Sequence, residues 1–478
     1  MTHSGISGLA ATLPADRVRT DPDVLASYAH DEAEWAPYGS PVALIRPKDT
    51  REVAEVVRYC AAHGIPVVTR GAGTGLSGGA NAVDGCVLLE MTAMNAILAI
   101  DADERLAVVQ PGVVNDDLRR AAAAENLWYP PDPASAPWST IGGNVATNAG
   151  GICCVKYGVT RDYVLAMEVV TGRGDIVRLG RKTAKGVAGY DLAGLMTGSE
   201  GTLGIITEVT LRLRGARAPE RTIVGHFAKL TDAGQAVAGI TAAGVVPSAL
   251  ELMDRYCLSA VDEWKHMGLT EDGGEALLMA RCDDLGEVGE RVADTIRDCF
   301  DAAGALWSQR STDETEADAL FAARRLAYPA LERLGPVLTE DICVPRMRVP
   351  EMLGRIEMIG REHDIHIANI AHAGDGNLHP LMITVPGDDA ARQRAQAAFE
   401  RIVEEAIGMG GTVTGEHGVG LLKMPGLALE VSPAVLGMHR AIKNALDPAG
   451  IFNPGKIFGS GTGQHADNSK KRGVGAPG

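Results

Sequence analysis

The 478-residue chain is predicted to fold as an α+β protein with at least two domains. Two observations indicate this class. Short β-prone segments alternate with helical patterns as far as Arg214, and longer helical patterns interrupt further strands between residues 220 and 400. Between the two regions lies Gly215-Ala216-Arg217-Ala218-Pro219, whose composition is typical of a linker.

The first region contains a helix whose two ends are both marked in the sequence. Asp49 or Thr50 can cap its start, and Gly64 can end it. The apolar positions between these ends recur at helical spacing and are Val53, Val56, Val57 and Cys60. The strands predicted for the rest of the region cover 65–70, 164–171, 176–179 and 204–213, and a second helix is predicted around 115–125.

The second region carries long helical patterns at 284–303, 313–334 and 390–408. A further helix is predicted before Asp447-Pro448. The last residues, 459–478, are rich in Gly, Ser and Asn and include Lys-Lys-Arg, so we expect them to be disordered.

Composition excludes several classes of function. The net charge of −16 disfavours a nucleic-acid partner, and aromatic residues make up only 4% of the chain. No apolar run reaches about 18 residues, so no transmembrane segment is expected. The first residues are not expected to form a signal peptide, and eight irregularly spaced cysteines fit reduced thiols. We therefore expect a cytoplasmic location.

A pair of histidines marks a candidate metal site. His372 and His379 flank an Asp-Gly turn between two apolar, β-prone segments, and a hairpin there would bring the two imidazoles together. Glu416 is a candidate third ligand. Two imidazoles and one carboxylate bind a divalent cation and leave coordination positions open; zinc is the first choice, and manganese or iron fits the same ligands. Asp375, in the turn itself, is a further candidate.

The next residue after the candidate carboxylate, His417, is expected to have a different role. In an extended segment, neighbouring side chains point to opposite faces. If Glu416 binds the metal, His417 is therefore free to act on a substrate as a general base.

Three glycine-rich stretches predict a site for a long dinucleotide. They cover 70–79, 130–151 and 198–207 and contain many glycines and small hydroxyl side chains. Glycines let backbone N–H groups converge on an anion. The first stretch does not carry the Rossmann fingerprint, because no helix with a ribose-binding acid follows it.

These motifs together closely resemble the FAD-linked oxidase family of the vanillyl-alcohol oxidase type, in its D-lactate, glycolate and D-2-hydroxyglutarate dehydrogenase group. The resemblance runs from about Pro41 to Phe458. It implies a two-subdomain FAD-binding domain and an antiparallel-sheet substrate domain flanked by helices. We expect the FAD-binding domain at 1–215 (core about 41–215), the substrate domain with the metal hairpin at 216–410, and a C-terminal segment returning to the flavin at 411–458.

The resemblance also assigns cofactor-binding residues. The loop around the FAD pyrophosphate would consist of Arg70, Gly71, Ala72, Gly73, Thr74, Gly75, Leu76 and Ser77. The rest of the FAD would be lined by Pro131, Thr140, Gly143, Thr147, Gly151 and Ile206. Covalently flavinylated relatives have a histidine at the position of Thr74 or a cysteine before Gly142-Gly143. This chain has neither, so non-covalent FAD is expected.

The chemistry expected from the resemblance is oxidation of a 2-hydroxy acid. A metal would hold the hydroxyl and one carboxylate oxygen, His417 would take the hydroxyl proton, and hydride would pass to FAD. Arg324 would bind the substrate carboxylate, with Arg325 as its competitor. Relatives that use D-2-hydroxyglutarate have a Thr and a Lys that hold the second carboxylate where this chain has Tyr328 and Thr339, and they have an Asn where it has Leu381. These departures disfavour a dicarboxylate, so we expect a monocarboxylate such as D-lactate or glycolate, with D-lactate as the first choice.

Several alternatives remain open at this point. The chain could be the flavin subunit of a glycolate oxidase complex, or a D-2-hydroxyglutarate dehydrogenase. A zinc hydrolase, in which Glu416 or His417 activates water, belongs to a different class and would lack a yellow flavin. A non-catalytic flavoprotein is the third possibility. No iron–sulfur cysteine spacing is present, so electrons must pass to an external acceptor such as oxygen, a quinone, a cytochrome or an electron-transfer flavoprotein. A homodimer is also left open.

Overall fold

The computed structural model describes residues 8–10, 13–271, 273–311 and 314–459. The strands of this part of the chain, in order, are β1 Val18–Arg19, β2 Ala43–Ile45, β3 Val67–Arg70, β4 Val87–Glu90, β5 Ile97–Asp101, β6 Leu106–Val109, β7 Leu127–Trp128, β8 Val164–Val170, β9 Ile176–Gly180, β10 Ile205–Arg212, β11 Arg214–Gly215, β12 Arg221–Phe227, β13 Ala249–Asp254, β14 Ala276–Cys282, β15 Ala305–Arg310, β16 Val337–Thr339, β17 Ile342–Cys343, β18 Ile367–His372 and β19 Asn377–Ile383.

The α-helices of the same residues are α1 Pro22–Ser27, α2 Thr50–His63, α3 Asn115–Ala124, α4 Ile141–Thr147, α5 Cys154–Tyr157, α6 Leu192–Met196, α7 Leu230–Ala242, α8 Arg255–Lys265, α9 Gly286–Ala302, α10 Glu314–Glu332, α11 Val349–Glu362, α12 Asp389–Gly408, α13 Met424–Glu430 and α14 Pro433–Leu446. Short 3-10 turns lie at Ala15–Arg17, Thr160–Asp162, Arg346–Arg348 and Ala373–Asp375.

Two sheets of different kinds form the first half of the molecule. The first has the order β1-β2-β4-β3, with β2 and β3 both parallel to β4. The second, β5-β6-β10-β8-β9, is antiparallel throughout. Helix α2 packs its apolar side into the core of the first sheet, because Val53, Val56 and Val57 are all buried there. These two sheets form the two subdomains.

An eight-stranded antiparallel sheet dominates the second half. Its order is β15-β12-β14-β13-β18-β19-β16, and β17 pairs with β19. One face is covered by α7, α9, α11 and α12. The other face is covered by α8 and α10. Both faces of the sheet are therefore buried, which holds its central hairpin rigidly in place.

That central hairpin is the one predicted from the histidine motif. Strands β18 and β19 pair antiparallel, and the turn between them is a 3-10 turn closed by Gly376 at a φ of 77°. In the register, His372 lies opposite Asn377 and His379 lies opposite Ile370. The two histidines are thus diagonal neighbours rather than direct partners, and both point to the same face.

The predicted elements agree closely with the structure. Asp49 caps α2 by accepting hydrogen bonds from Arg51 N and Glu52 N, and Gly64 ends the helix at a φ of 61°. The three long helices of the second region are α9, α10 and α12, each within a few residues of its prediction. The segment predicted to be disordered, 459–478, lies outside the described residues except for Gly459.

All eight cysteines are free, and Cys153 and Cys154 are not joined to each other. Among the described residues, no helix combines the length and the apolar character needed to cross a membrane.

Candidate active site

A long cleft runs between the glycine-rich stretches of the first half and the hairpin of the large sheet. About 2040 Å³ of this space is free of protein atoms, part of it open to solvent. The predicted residues that line it are Gly71, Ala72, Gly73, Thr74, Gly75, Leu76, Ser77, Thr140, Gly143, Thr147, Ile206, Arg324, His372, His379, Glu416 and His417. The structure therefore places the predicted cofactor-binding residues and the predicted catalytic and metal-binding residues around one cleft.

Three predicted cofactor residues lie behind the cleft wall instead. Arg70 donates a hydrogen bond to the His30 carbonyl oxygen, and its guanidinium group lies directly against Gly73. The Pro131 carbonyl oxygen accepts from an asparagine side chain. Gly151 packs against the backbone of Asp132, where a Cβ atom would lie 2.5 Å from the carbonyl carbon. We expect all three to shape the wall rather than to contact a ligand.

The first half of the cleft has the character of a cofactor cradle. Its wall consists largely of backbone, and added side chains would collide with it. A Cβ atom on Gly71 would lie 2.3 Å from Thr140 Oγ1, and one on Gly142 would lie 2.5 Å from a Pro111 carbon. Thr140 also caps α4. Exposed backbone and small hydroxyls along such a length fit an extended dinucleotide.

The C-terminal segment is joined to this cradle by hydrogen bonds. The carboxylate of Glu200 accepts from Val419 N and Gly420 N, both at 2.8 Å. Ser77 donates to the His417 carbonyl oxygen at 3.1 Å. Asn453 donates to the Glu200 carbonyl oxygen at 2.8 Å. These contacts bring the Glu-His motif to the glycine loop although about 340 residues separate them in sequence.

The two hairpin histidines converge on one carboxylate. His372 Nε2 lies 3.4 Å from Glu416 Oε1, and His379 Nε2 lies 3.3 Å from the same oxygen. The ring centroids of the two histidines are 5.3 Å apart. The three donor atoms lie within 4.8 Å of one another, so this set could hold a divalent cation with open positions toward the cleft.

A buried carboxylate orients the first of these ligands. Glu251, fully buried on β13, accepts a hydrogen bond from His372 Nδ1 at 2.8 Å, which leaves Nε2 directed at Glu416. The other oxygen of Glu251 lies 3.0 Å from Arg324 Nε. One acid therefore positions both a candidate metal ligand and the predicted carboxylate-binding arginine, whereas Arg325 also lines the cleft but is exposed.

A second buried carboxylate, Asp341, shapes the Glu-His motif. Its Oδ2 accepts from the backbone N–H groups of Gly415, Glu416 and His417 at 3.0, 2.9 and 2.8 Å. The chain therefore curves around Asp341 and is not extended. The predicted opposite orientation of the two side chains is wrong: both face the cleft, with His417 Nε2 3.9 Å from Glu416 Oε1 and its ring stacked on His379.

The electrostatic environment shifts the pKa values of His372, Glu416 and His417 in different ways. Burial alone would lower the pKa of His372, but the carboxylates of Glu251 and Glu416 hold it well above its usual value. Burial alone would raise the pKa of Glu416, but His372 and His379 hold it well below. Burial lowers the pKa of His417 to about 4, so this imidazole is neutral at pH 7 but a weaker base than an ordinary histidine.

Asp375, the further ligand candidate, is not part of the convergent set. Burial raises its pKa to about 7. The described residues include a second group of converging donors, formed by Asp341, His379 and His417. Asp341, unlike the aspartate in the turn, thus belongs to a group of converging donors.

Sequence reasoning missed Glu251, Asp341 and Lys423. Lys423 is buried and lies 3.2 Å from Glu340 and 3.5 Å from Asp341. The sequence does contain a signal that indicates Glu251 and Asp341. Glu251 stands in the apolar strand Ala249–Asp254, and Glu340-Asp341 follow the apolar strand Val337–Thr339. A carboxylate in a buried strand requires a partner, which indicates a polar site.

Two family models match this chain. Residues 41–180 match the FAD binding domain, and residues 217–457 match the C-terminal domain of FAD linked oxidases. The two matches fall on the two halves of the cleft.

Similar proteins with known names cover almost the whole chain. It is 42% identical to the glycolate oxidase subunit GlcD of Bacillus subtilis, over 87% of this chain and 89% of that protein. It is 36% identical to a D-lactate dehydrogenase of Anaerostipes hadrus, over 92% and 94%. It is 34% identical to a D-2-hydroxyglutarate dehydrogenase of Stutzerimonas stutzeri, over 95% and 98%.

Solved structures with the same fold share far less sequence. p-Cresol methylhydroxylase superposes with a TM-score of 0.79 at 19% identity, covering 96% of this chain and 98% of that one. The 4-ethylphenol oxidase of Gulosibacter chungangensis gives 0.77 at 20% identity, covering 96% and 97%. The fold is that of the vanillyl-alcohol oxidase type, as the sequence predicted.

Proposed function

This chain belongs to the FAD-linked oxidase family and is an FAD-dependent oxidoreductase, and we propose that it oxidises a D-2-hydroxy acid to the 2-keto acid with the help of a divalent metal. D-lactate is the preferred substrate. The observation that supports this best is the convergence of His372, His379 and Glu416 beside a neutral His417, on the wall of the cofactor cleft.

The FAD half of the proposal rests on the glycine-lined cradle and the FAD-binding match at residues 41–180. FAD, when bound, supplies the acceptor for a hydride. Thr74 lines the cleft where covalently flavinylated relatives have a histidine, so we propose non-covalent binding. We place the cofactor domain at 1–215, the substrate domain at 216–410 and the returning segment at 411–458.

The metal half rests on the donor chemistry of the site. Two imidazole nitrogens and one carboxylate are the ligand set of catalytic zinc, and manganese or iron suits it as well. His372 has its Nδ1 hydrogen bonded to Glu251, as expected for a metal-binding histidine. A metal, when bound, lowers the pKa of a coordinated hydroxyl.

The side chains of this protein then have separate tasks. Arg324 binds the substrate carboxylate, and Glu251 keeps its guanidinium group in place. The neutral imidazole of His417 would accept the proton of the substrate hydroxyl; because its pKa of about 4 makes it a weak base, this transfer would depend on a bound metal making that hydroxyl more acidic. The α-hydrogen leaves with its electron pair, so the substrate becomes a 2-keto acid. The reaction would balance, because His417 would take up the proton and FAD, when bound, would supply the acceptor for the hydride.

Steady-state turnover with a dye as electron acceptor tests this proposal. We expect D-lactate to be oxidised with a higher kcat/KM than glycolate, and L-lactate not at all. Metal content and flavin spectrum are measured on the same sample. A yellow, metal-containing protein that oxidises none of these acids would contradict the proposal.

A second candidate is supported by one observation, the 42% identity to a protein named as a glycolate oxidase subunit. In that case the isolated chain would depend on partner subunits, and glycolate would be preferred. Full turnover of D-lactate by the purified chain alone would contradict it. A zinc hydrolase is no longer needed to explain the site, since the chain belongs to a flavin-dependent family.

A further inference from the structure

One buried carboxylate contacts both segments that carry the candidate metal ligands. Asp341 lies between β16 and β17 and is fully buried. Its Oδ1 accepts a hydrogen bond at 2.6 Å from Asn377 Nδ2, and Asn377 lies opposite His372 in the hairpin. Its Oδ2 accepts from Thr414 Oγ1 at 2.7 Å, in addition to the backbone of the Glu-His motif. Asp341 therefore joins the hairpin to the C-terminal segment.

These two segments also meet too closely to admit a side chain between them. A Cβ atom on Gly415 would lie 2.4 Å from Asn377 Nδ2, the same nitrogen that donates to Asp341. The Glu-His motif and the hairpin are thus held against each other through this carboxylate. Support of this kind from neighbouring groups keeps functional side chains at a fixed distance from one another.

The second hairpin histidine has a ring nitrogen that lacks a partner. No group among the described residues hydrogen bonds to His379 Nδ1, although only 4% of His379 is exposed. Asp341 Oδ1 lies 3.7 Å from this nitrogen, slightly beyond hydrogen-bonding distance. His372, by contrast, has its Nδ1 bonded to Glu251 at 2.8 Å. Buried polar groups are almost always paired, so the free nitrogen indicates that a ligand completes the site.

A buried lysine allows Asp341 to remain ionised and therefore to accept hydrogen bonds on both oxygens. Lys423, only 1% exposed, has its Nζ 3.5 Å from Asp341 Oδ2 and donates to the Asp341 carbonyl oxygen at 3.2 Å. Burying this carboxylate without a cation nearby would be costly. Among the described residues Oδ1 accepts from Asn377 Nδ2 alone, so it can accept from a second donor such as the His379 imidazole.

On the basis of the proposed function, in which His372, His379 and Glu416 hold a divalent metal, we propose that Asp341 is the positioning residue of this metal site. When the metal is bound, Asp341 accepts a hydrogen bond from His379 Nδ1, as Glu251 accepts one from His372. The same carboxylate holds Glu416 through its backbone N–H group. Asp341 therefore acts through two metal ligands at once, whereas Glu251 acts through one.

Metal affinity measures this role without any turnover. The amide of Asp341→Asn has one oxygen and one NH₂ group, so in either orientation the NH₂ group faces donors. We expect zinc affinity of the FAD-containing protein, from competition with a chelator, to fall about 100-fold, the upper end for loss of an outer partner, since two ligands lose support.

The matched control is Glu340→Gln. It neutralises the adjacent acid, which is just as buried and lies 3.2 Å from Lys423, but which holds neither ligand. This variant should keep the native zinc affinity. Native affinity in Asp341→Asn, or an equal loss in Glu340→Gln, would overturn the proposal.

A spectroscopic measurement tests the hydrogen bond itself. In the cobalt(II)-substituted protein, the N–H proton of a metal-bound histidine gives a strongly shifted NMR signal, which survives in water when the proton is hydrogen bonded and disappears in heavy water. We expect two such signals, of which Asp341→Asn loses one and Glu251→Gln the other. A single signal in the native protein would overturn the proposal even if Asp341→Asn fails to fold. Both signals retained in Asp341→Asn would overturn it as well.

The proposed function can fail separately. A native protein that binds zinc but oxidises no 2-hydroxy acid would contradict the proposed reaction, and the zinc affinities and cobalt signals would still test the role of Asp341. A native protein that binds no divalent metal would contradict both proposals.

Discussion

The two halves of the cleft are lined by different kinds of chemical group. The cofactor half is built from glycines and small hydroxyls, so a ligand there meets mostly backbone. The substrate half is built from imidazoles, carboxylates and an arginine, each fixed by a buried partner such as Glu251 or Asp341. Backbone groups suit a cofactor that stays bound through every turnover. Charged side chains on a rigid sheet suit the binding and orientation of a substrate and the transfer of its proton. A substitution in one half should therefore leave binding of the other half's ligand unchanged.

The largest effect is expected from Glu416→Gln. The amide is a poor metal ligand, and two imidazoles alone should not hold the cation. We expect bound metal, measured by plasma mass spectrometry, to fall below a tenth of native, and flavin reduction by D-lactate to slow by about 10⁴-fold or more. The flavin content should stay the same. Loss of FAD together with the metal would contradict the independence of the two halves; the exposed Glu404→Gln is the control.

Next in size is His417→Ala. Removing a general base typically costs about 10²–10⁴-fold, so we expect flavin reduction to slow by about a thousandfold with FAD and metal both retained. Stopped-flow absorbance measures the rate, and added imidazole should restore part of it. His363→Ala, far from the motif, is the matched control. Reduction at the native rate would remove His417 from the mechanism.

A smaller effect is expected from Glu251→Gln, because this acid acts through its neighbours. Loss of the partner of a metal-binding histidine usually weakens metal affinity by about 10–100-fold. Arg324 would also lose its ion pair, so KM for D-lactate should rise. A competition titration with a chelator gives the metal affinity. Unchanged metal affinity with a raised KM would show that Glu251 serves Arg324 alone.

In the cofactor half, Gly71→Ala should weaken the binding of FAD and not the binding of the metal. The new Cβ atom would lie against Thr140 Oγ1, which caps α4, so the cradle must shift. We expect FAD affinity to fall by about tenfold, measured by fluorescence on release of the flavin, with metal content unchanged. Gly437→Ala is the control, since no atom lies within 4 Å of its added Cβ. Metal loss in Gly71→Ala would contradict the comparison.

The last effect concerns the pH dependence of stability, not activity, and is confined to the substrate half. Burial raises the pKa of Glu340 to about 7, above its unfolded value of 4.5. The folded state therefore binds more protons than the unfolded state between these values, and its stability falls as pH rises from about 4.5 to about 7. Glu340 should contribute about 1 kcal/mol per pH unit in that range. Denaturant unfolding at pH 5 and pH 7 should show a smaller difference for Glu340→Gln than for the native chain.

The sequence predicted most of the fold because its local signals agreed with the tertiary structure. Asp49 and Gly64 bound α2 by capping chemistry that acts within a few residues. The hairpin was predictable for the same reason, from an Asp-Gly turn between two apolar runs. The histidine pair followed directly, because the hairpin fixes the distance between its strands.

The rest of the site depends on contacts between distant segments. Glu416 and His417 were expected on opposite faces, but Asp341, some 75 residues earlier, bends the backbone between them. Glu251 meets His372 from another strand, 121 residues away. Each acid carried a local signal, a charge in an apolar strand, but the sequence alone does not say which partner it meets.

The most direct test of the account is anaerobic reduction of the flavin by lactate. The protein is prepared with its metal and, separately, after removal of the metal by a chelator, and its flavin absorbance is followed after mixing with D-lactate or L-lactate. The account predicts rapid bleaching by D-lactate in the metal-loaded protein and little after metal removal, with none by L-lactate. Equally fast bleaching by D-lactate in the metal-free protein would contradict the role given to His372, His379 and Glu416.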